Sequence, residues 1–506
     1  MKLMHLLEGI DTVNISANLS AEVSTVCYAA DKCEERSLFV AIAGLNHDGH
    51  DFIEDAVEHG ARFIVHEKDL QIPSGIASIK VANSRRSLGI LAKNYFRNPS
   101  GNLVLVAVIG TNGKTTITYL LESILKTAGF KCGVLGTVNY RYNDKIYPAP
   151  NTTPESYEMQ KILRDMADDG ITHVIAEVSS HAIDLRRVDD CDFDLGIFSN
   201  LTPEHLDYHL NMENYFQAKK RFFSEILPQS KKAHAHKMII NADDPWGQRI
   251  LREVGLAALT YGLKKTNVVN VSGDELSLKG IKAEIDLAGE NIIITSSLIG
   301  KFNVYNILAA AAAAKTLEVS AVAIKTGIER VSFVPGRLEK IDSSSGFHVF
   351  VDYAHKADAL KQVLQNLTEF KKKRIITVFG CGGNRDRGKR PLMGETATNY
   401  SDLTIVTSDN PRLEDPLAII TEIEAGIDQK KIKKLTPDQL QNDNILHSYM
   451  VIPERKKAIE TAINIASKGD IILIAGKGHE DYQITGTKKV PFDDRLVAAY
   501  ALKLRS

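Results

Sequence analysis

The chain has no excess of either charge: 62 lysines and arginines stand against 63 aspartates and glutamates, a formal net charge of −1. General affinity for nucleic acid or an anionic membrane surface needs a broad basic field, which this balance excludes, leaving only a local basic pocket open. Cysteine is sparse. Its five residues, Cys27, Cys33, Cys132, Cys191 and Cys381, form no Cys-x-x-Cys pair and are odd in number. That argues against a disulfide framework or a zinc site and for a reducing compartment. No apolar run approaches the ~20 residues that cross a bilayer; the longest, residues 307–314, is alanine-rich and reads as a buried helix. The opening stretch MKLMHLLEGIDT is interrupted by Glu8 and lacks a signal-peptide pattern. A cytoplasmic protein, without membrane insertion or a nucleic-acid partner, is expected. Internal repeats and low-complexity tracts are also absent.

What is present is a regular alternation. At 506 residues the chain is too long for one hydrophobic core. Short β-rich runs, among them residues 37–43, 61–66, 103–109, 172–178, 195–199 and 237–241, alternate with helical stretches. The alternation resumes at residues 347–352, 374–379, 402–407 and 470–475. It predicts an α/β protein with largely parallel sheets, ligands lying in the loops after the strands. Asn98, Pro99, Ser100, Gly101 and Asn102 read as a linker, and Val334, Pro335, Gly336 and Arg337 as a second boundary. Three domains follow: residues 1–100, 101–336 and 337–506.

After the apolar strand 103–109 come Gly110, Thr111, Asn112, Gly113, Lys114, Thr115 and Thr116, then an amphipathic stretch. Strand, glycine-rich loop and helix in that order make a phosphate-binding loop, because glycines let backbone N–H groups approach phosphates and a helix N-terminus favours the anion. Lys114 is placed to reach the β- and γ-phosphates of ATP, and Thr115 to hold Mg²⁺. The general pattern has a further glycine where this chain has Val108. That shortened loop separates the chain from kinases and GTPases. Glu177 ends the strand 172–178, where a nucleotide hydrolase needs a carboxylate for Mg²⁺, although by itself it reads equally well as a solvated strand end. His205, in NLTPEHLDYH, taken alone is more often structural than a ligand.

GTNGKTT, EVSSH, NLTPEHLDYH, Ala218–Lys219 within YFQAKKRFF, NADD at 241–244, Gly300 to Asn303 with Asn306, PGR at 335–337 and DYAH at 352–355 resemble the Mur ligases, in the same order and over essentially the whole chain. The resemblance implies an N-terminal UDP-binding α/β domain, a central ATPase domain and a C-terminal Rossmann-like domain. It also implies an ATP-dependent amide ligase working on small-molecule substrates in peptidoglycan precursor synthesis. ATP would phosphorylate a carboxylate of a UDP-muramoyl precursor, and an amine would displace the phosphate. Positioning and charge neutralisation carry such a reaction. By the same resemblance Lys114, Glu177, His205 and Lys219 are catalytic. Asn303, Arg337 and Asp352 join residues 110–116 around ATP. Two Mg²⁺ sites use Thr115, Glu177, His205 and Lys219, the last carbamylated by CO₂ to N6-carboxylysine. That change turns a cation into an oxygen ligand, as a Mg²⁺ site requires.

Asn151, Thr152, Thr153, Ser179 and Arg187 match positions that bind the UDP-muramoyl-dipeptide. Asp409, Asn410, Pro411 and Arg412 look like the signature of the ligases that add meso-2,6-diaminopimelate to UDP-N-acetylmuramoyl-L-alanyl-D-glutamate. Arg385, Gly476 and Glu480 match the remaining amino-acid contacts. Diaminopimelate carries a distal carboxylate that an arginine fork binds bidentately, and Glu480 would pair with its distal ammonium. Three departures stand out. Tyr28, Ala29, Ala30 and Asp31 replace the family's Asp-Ser-Arg, Leu185 replaces a frequent glutamine, and Lys356–Ala357 follows DYAH in place of Thr-Pro. The rival readings are an L-lysine-adding member of the family, which Arg412 disfavours, a folylpolyglutamate-type ligase, which lacks the N-terminal domain, and a nucleotide switch. A monomer is the default expectation.

Overall fold

Every residue from Leu105 to Ile109 is buried in the strand Val104–Ile109, and all five of His173–Glu177 are buried too. Continuous apolar strands of this kind are covered on both faces, the situation of a parallel sheet flanked by helices. The computed structural model describes residues 1–44, 47–232, 237–436, 439 and 447–505. The chain divides into two units: Met1–Val271 with Asp286–Asn291 and Tyr305–Gly327, and Ser272–Ile285 with Ile292–Val304 and Ile328–Ser506.

In the first unit, Ala258–Tyr261, Lys237–Asn241, Leu195–Phe198, Val104–Ile109, His173–Glu177 and Cys132–Leu135 lie side by side in that order, all parallel. Tyr140–Tyr142 and Lys145–Tyr147 extend the sheet antiparallel beyond Cys132–Leu135. The chain order reverses across Val104–Ile109, the place where an open α/β sheet leaves a crevice at its carboxyl ends. Parallel register sets Glu177 beside Val108 there.

A five-stranded sheet precedes this one, in the order Thr12–Ser16, Ala77–Val81, Ala61–His66, Ser37–Val40 and Val26–Cys27. Its first pair is antiparallel and the rest parallel. The stretch read as a linker is instead a packed turn, a 3-10 helix over Pro99–Asn102 with Pro99 and Ser100 buried. Asn98 Nδ2 donates to Asp192 Oδ2 at 2.8 Å, and Ser100 Oγ accepts from the Asp192 N–H at 3.0 Å. Small polar residues that suit a flexible linker here satisfy the backbone of a distant loop. The alanine-rich helix runs over Lys301–Thr316, with Ala309 to Ala314 fully buried as its composition implied.

The second unit is built on Glu339–Ile341, His348–Asp352, Ile471–Ala475, Ile375–Phe379, Leu403–Val406, Ser448–Val451 and Lys433–Lys434. All neighbours except the first pair run parallel. Asp352, Ala475, Phe379 and Val406 end adjacent strands in register. The loops that follow them therefore share one edge. A hairpin, Tyr482–Thr485 with Lys488–Pro491, is an element the alternation did not foretell. Among the described residues no helix is long and apolar enough to cross a membrane.

Candidate active site

The phosphate loop joins Val104–Ile109 to the helix Lys114–Thr127. Gly113 has φ +88°, and a Cβ there would lie 2.2 Å from Asn306 Oδ1. Only glycine fits that combination of backbone and space. Lys114 Nζ curls back to donate to the carbonyls of Gly110 and Thr111, both at 2.9 Å. The loop after Leu195–Phe198 holds it from the other side. The Asn112 N–H donates to Asn200 Oδ1 at 2.9 Å, Ser199 Oγ to the Asn112 carbonyl at 2.7 Å, and the Thr202 N–H to Thr111 Oγ1 at 3.1 Å. Ser199, Asn200 and Thr202 thus fix the loop's shape, although only their neighbour His205 stood out in the sequence.

Glu177 is buried at the carboxyl end of its strand. Its Oε2 accepts from Thr115 Oγ1 at 3.2 Å and Thr137 Oγ1 at 2.8 Å, and its Oε1 from the Thr137 N–H at 3.1 Å. Thr115 and Glu177, 62 residues apart, therefore meet. Thr137 carried no sequence signal, because it reaches the site from a separate strand–loop connection. No group of three His, Cys, Asp or Glu that could hold a metal is gathered among the described residues. One carboxylate with two hydroxyls still suits Mg²⁺, which binds through one or two carboxylates and takes its remaining oxygens from phosphates and water.

Lys219, on the helix Met212–Arg221, is fully buried; its Nζ donates to the Gly110 carbonyl at 2.8 Å and lies 4.7 Å over the Tyr215 ring. Burial holds its amine well below the ordinary lysine value, the Lys114 cation acts in the same direction, and Glu204 opposes both. Such a lysine is neutral more readily than an exposed one. His205 adopts φ +55° and packs against His181 at 4.6 Å between ring centres and Tyr215 at 6.2 Å. His209 donates to or accepts from Ser180 Oγ through Nε2 at 2.9 Å, its basicity lowered by burial and then by His181.

The Asn-Thr-Thr run lies beside Glu177. Thr153 Oγ1 donates to the Glu177 carbonyl at 2.9 Å and accepts from the Ser179 N–H at 3.1 Å. Thr137 Oγ1 and Thr152 Oγ1 are 3.2 Å apart, and Tyr140 OH donates to the Asn151 carbonyl. Arg187 donates to the Thr153 carbonyl at 3.2 Å and pairs with Glu155 at 3.3 Å. Asn151, Thr152, Thr153, Ser179 and Arg187 are thus brought together.

In the second unit, Arg337 lies 4.7 Å over the Tyr353 ring. Asp352 accepts from the N–H groups of Leu338 at 2.6 Å and Ala354 at 2.7 Å. Burial raises the Asp352 carboxyl above the usual range, with Arg337 opposing. His479 packs on the same tyrosine at 5.0 Å and is pushed down to about 3 by burial, then by Arg337 and Arg495. Asn303 donates to the Ile299 carbonyl at 2.8 Å.

The strand ends gather the amino-acid motifs as well. Arg412, at φ +53°, donates from Nη1 to the Gly383 carbonyl at 2.8 Å. A Cβ on Gly382 would approach Arg412 Nη1 at 3.0 Å and Arg385 Cγ at 3.7 Å, so both arginines lie over that glycine. Asn410 Nδ2 donates to Glu480 Oε2 at 2.9 Å. Gly476, at φ +116°, lets Asp409 Oδ2 approach within 3.1 Å of where its Cβ would stand. Behind them Arg455 is wholly buried, paired with Asp494 at 2.7 Å and 3.9 Å from Asp409. Lys477 and Arg455 went unremarked in the sequence.

Three family models match the chain: "Mur ligase family, catalytic domain" over residues 22–96, "Mur ligase middle domain" over 108–314 and "Mur ligase, glutamate ligase domain" over 336–478. It is 44% identical over 503 residues to the UDP-N-acetylmuramoyl-L-alanyl-D-glutamate--2,6-diaminopimelate ligase of Geobacter metallireducens, covering 99% of this chain and 98% of the relative. The ligase of that name from Clostridium tetani is 41% identical over 503 residues, 98% of each. A solved structure of a ligase of that name superposes with a TM-score of 0.69 at 30% identity, covering 100% of this chain and 99% of the other. A Mycobacterium tuberculosis folylpolyglutamate synthase shares the fold at a TM-score of 0.60 and 15% identity, over 78% of this chain and 91% of the other.

Proposed function

The chain belongs to the Mur ligase family, and on that premise we propose that it is the ATP-dependent ligase that adds meso-2,6-diaminopimelate to UDP-N-acetylmuramoyl-L-alanyl-D-glutamate in peptidoglycan precursor synthesis. The observation that carries the choice of amine is the placement of Arg412, Asn410 and Glu480 at one sheet edge, with the Arg385 side chain starting beside Arg412 over Gly382. A distal carboxylate and ammonium on one substrate match that pattern; the side chain of L-lysine offers only the ammonium. Domain limits at 1–100, 101–336 and 337–506 belong to this reading, supported by the separate family segments.

The chemistry follows from the residues. Backbone N–H groups of the phosphate loop and Lys114 bind the ATP phosphates, and Asn303, Arg337 and Asp352 are assigned to ATP binding by the family resemblance alone. Thr115 and Glu177 would hold Mg²⁺, with Thr137 orienting the carboxylate and His205 and a carbamylated Lys219 serving a second ion. Bound there, Mg²⁺ supplies charge neutralisation for phosphoryl transfer. Thr152, Thr153, Ser179 and Arg187 present the dipeptide carboxylate to the γ-phosphate. The substrate acyl phosphate then forms, the amino-acid nitrogen attacks its carbonyl carbon, the C–O bond to phosphate breaks, and an amide, phosphate and ADP remain. Lys114 offsets the charge moving between the phosphate oxygens.

Phosphate release assayed with ATP and UDP-muramoyl-dipeptide tests the reading. We expect ADP to form only with both acceptor and amino acid present, and kcat/KM for diaminopimelate to exceed that for L-lysine by at least ~30-fold, since mismatching a partly buried charge costs about 2–5 kcal/mol. Equal values for the two amino acids overturn the assignment.

A further inference from the structure

Lys477 stands inside the loop that carries Gly476 and Glu480, and its side chain is completely buried. An ammonium has three donors, and here all three are used: Asn410 Oδ1 at 3.0 Å, the Tyr482 carbonyl at 2.7 Å and Glu480 Oε2 at 3.3 Å. Those acceptors sit on three separate segments: the turn after Leu403–Val406, the loop after Ile471–Ala475, and the hairpin beginning at Tyr482. The Asn410 amide is locked by the same contacts. Its Oδ1 accepts from Lys477 and from the Ile484 N–H at 3.0 Å, so its Nδ2 must face Glu480 Oε2, at 2.9 Å. Oε2 of Glu480 is thereby held twice, while Oε1 accepts no hydrogen bond among the described residues. A buried lysine with no counter-charge is costly, and Glu480 is the carboxylate it pairs with.

We propose that Lys477 is a positioning residue for amino-acid selection. Its ammonium fixes the Asn410 amide and Glu480 Oε2 in one arrangement, so that Oε1 is presented, rotationally fixed, to the distal ammonium of the incoming diamino acid. This rests on the assignment of residues 409–412 and 476–480 to the amino acid. Preorganising one carboxylate oxygen lowers the entropy lost on binding, so the effect belongs on amino-acid affinity and not on phosphoryl transfer.

Steady-state kinetics of Lys477→Met test it, with each substrate varied in turn. The KM for diaminopimelate should rise tenfold or more, while the KM values for ATP and UDP-muramoyl-dipeptide stay within about twofold of wild type. In Glu480→Gln the same Lys477→Met change should add little, because a residue acting through another is non-additive with it. An unchanged diaminopimelate KM, an equal rise in all three KM values, or full additivity with Glu480→Gln overturns the proposal. Should Lys477→Met not fold, Lys477→Gln keeps an amide donor without the charge, and an unchanged diaminopimelate KM in that variant overturns it equally. Wild-type protein that ignores diaminopimelate would refute the assigned function itself, an outcome distinct from any of these.

Discussion

Replacing Lys219 by methionine should move activity and stability in opposite directions. In the unmodified protein, before CO₂ adds to it, the ammonium form of Lys219 is penalised by complete burial and by Lys114, and its nitrogen has the Gly110 carbonyl as acceptor. Methionine has a similar length and no charge to desolvate. Replacing buried ion pairs by apolar groups of like volume ranges from neutral to stabilising by about 1–4 kcal/mol, and a buried amine without a hydrogen-bonded counter-charge has less to lose than a pair. The lower half of that range fits here, because one hydrogen bond worth about 1 kcal/mol is lost. At 2–4 °C per kcal/mol for a domain of this kind, the midpoint of thermal unfolding should rise by a few degrees. Turnover should fall about 100- to 1,000-fold, the usual effect of deleting one electrostatic group from a preorganised site.

The pH dependence gives an independent readout. The unfolded chain keeps the lysine proton up to about 10.5, whereas the native site releases it at lower pH. Across that window the unfolded state binds the extra proton, so wild-type stability rises with pH and Lys219→Met should flatten the rise. The assays are differential scanning fluorimetry from pH 7 to 10 and phosphate release with and without short carboxylate anions. Those anions should restore part of the activity of Lys219→Ala, whose smaller side chain leaves them room. Full activity of Lys219→Ala without any additive, or a lower melting midpoint for Lys219→Met at pH 7, would refute the reasoning.

Two further substitutions probe the frame of the first unit. Gly113→Ala combines φ +88° with a Cβ placed 2.2 Å from Asn306 Oδ1, so we expect a loss of about 1–3 kcal/mol from backbone strain and a higher KM for ATP; wild-type values of both would show that the loop tolerates a side chain. Asp190 has an enclosed carboxyl, its Oδ2 without a hydrogen-bond partner, and burial raises its pKa to about 6. The native state therefore binds the proton between about 4 and 6, and stability falls as pH rises through that window. Asp190→Asn should raise the unfolding midpoint at pH 8, by on the order of 2 kcal/mol in free energy, and do little at pH 4; no gain at pH 8 contradicts the burial argument.

Contiguous motifs were legible because they specify local backbone. Gly110 to Thr116 carries its glycines, lysine and threonines in one contiguous run between an apolar strand and a helix, and the missing glycine at Val108 falls inside a strand rather than a loop. The parallel α/β architecture was equally readable, since strands buried on both faces are apolar without alternation. Packing over long sequence separations was not. Thr137 joins Glu177 from 40 residues away, and residues 98–102 look like a linker until the loop at Asp192 uses their side chains.

Charge state was the least readable property of all. From the residues alone Lys219 is one of two adjacent lysines in its helix, set apart only by the family resemblance, and Lys477 lies unremarked between Gly476 and Glu480. Only the folded chain buries the first against Gly110, 109 residues distant, and the second against Asn410, 67 residues distant. The sequence by itself determined the loop chemistry, the sheet class and the family resemblance, all carried by short-range order. The tertiary structure decided which of those side chains are desolvated and what each faces, because desolvation and Coulomb energy depend on distance in space and not along the chain.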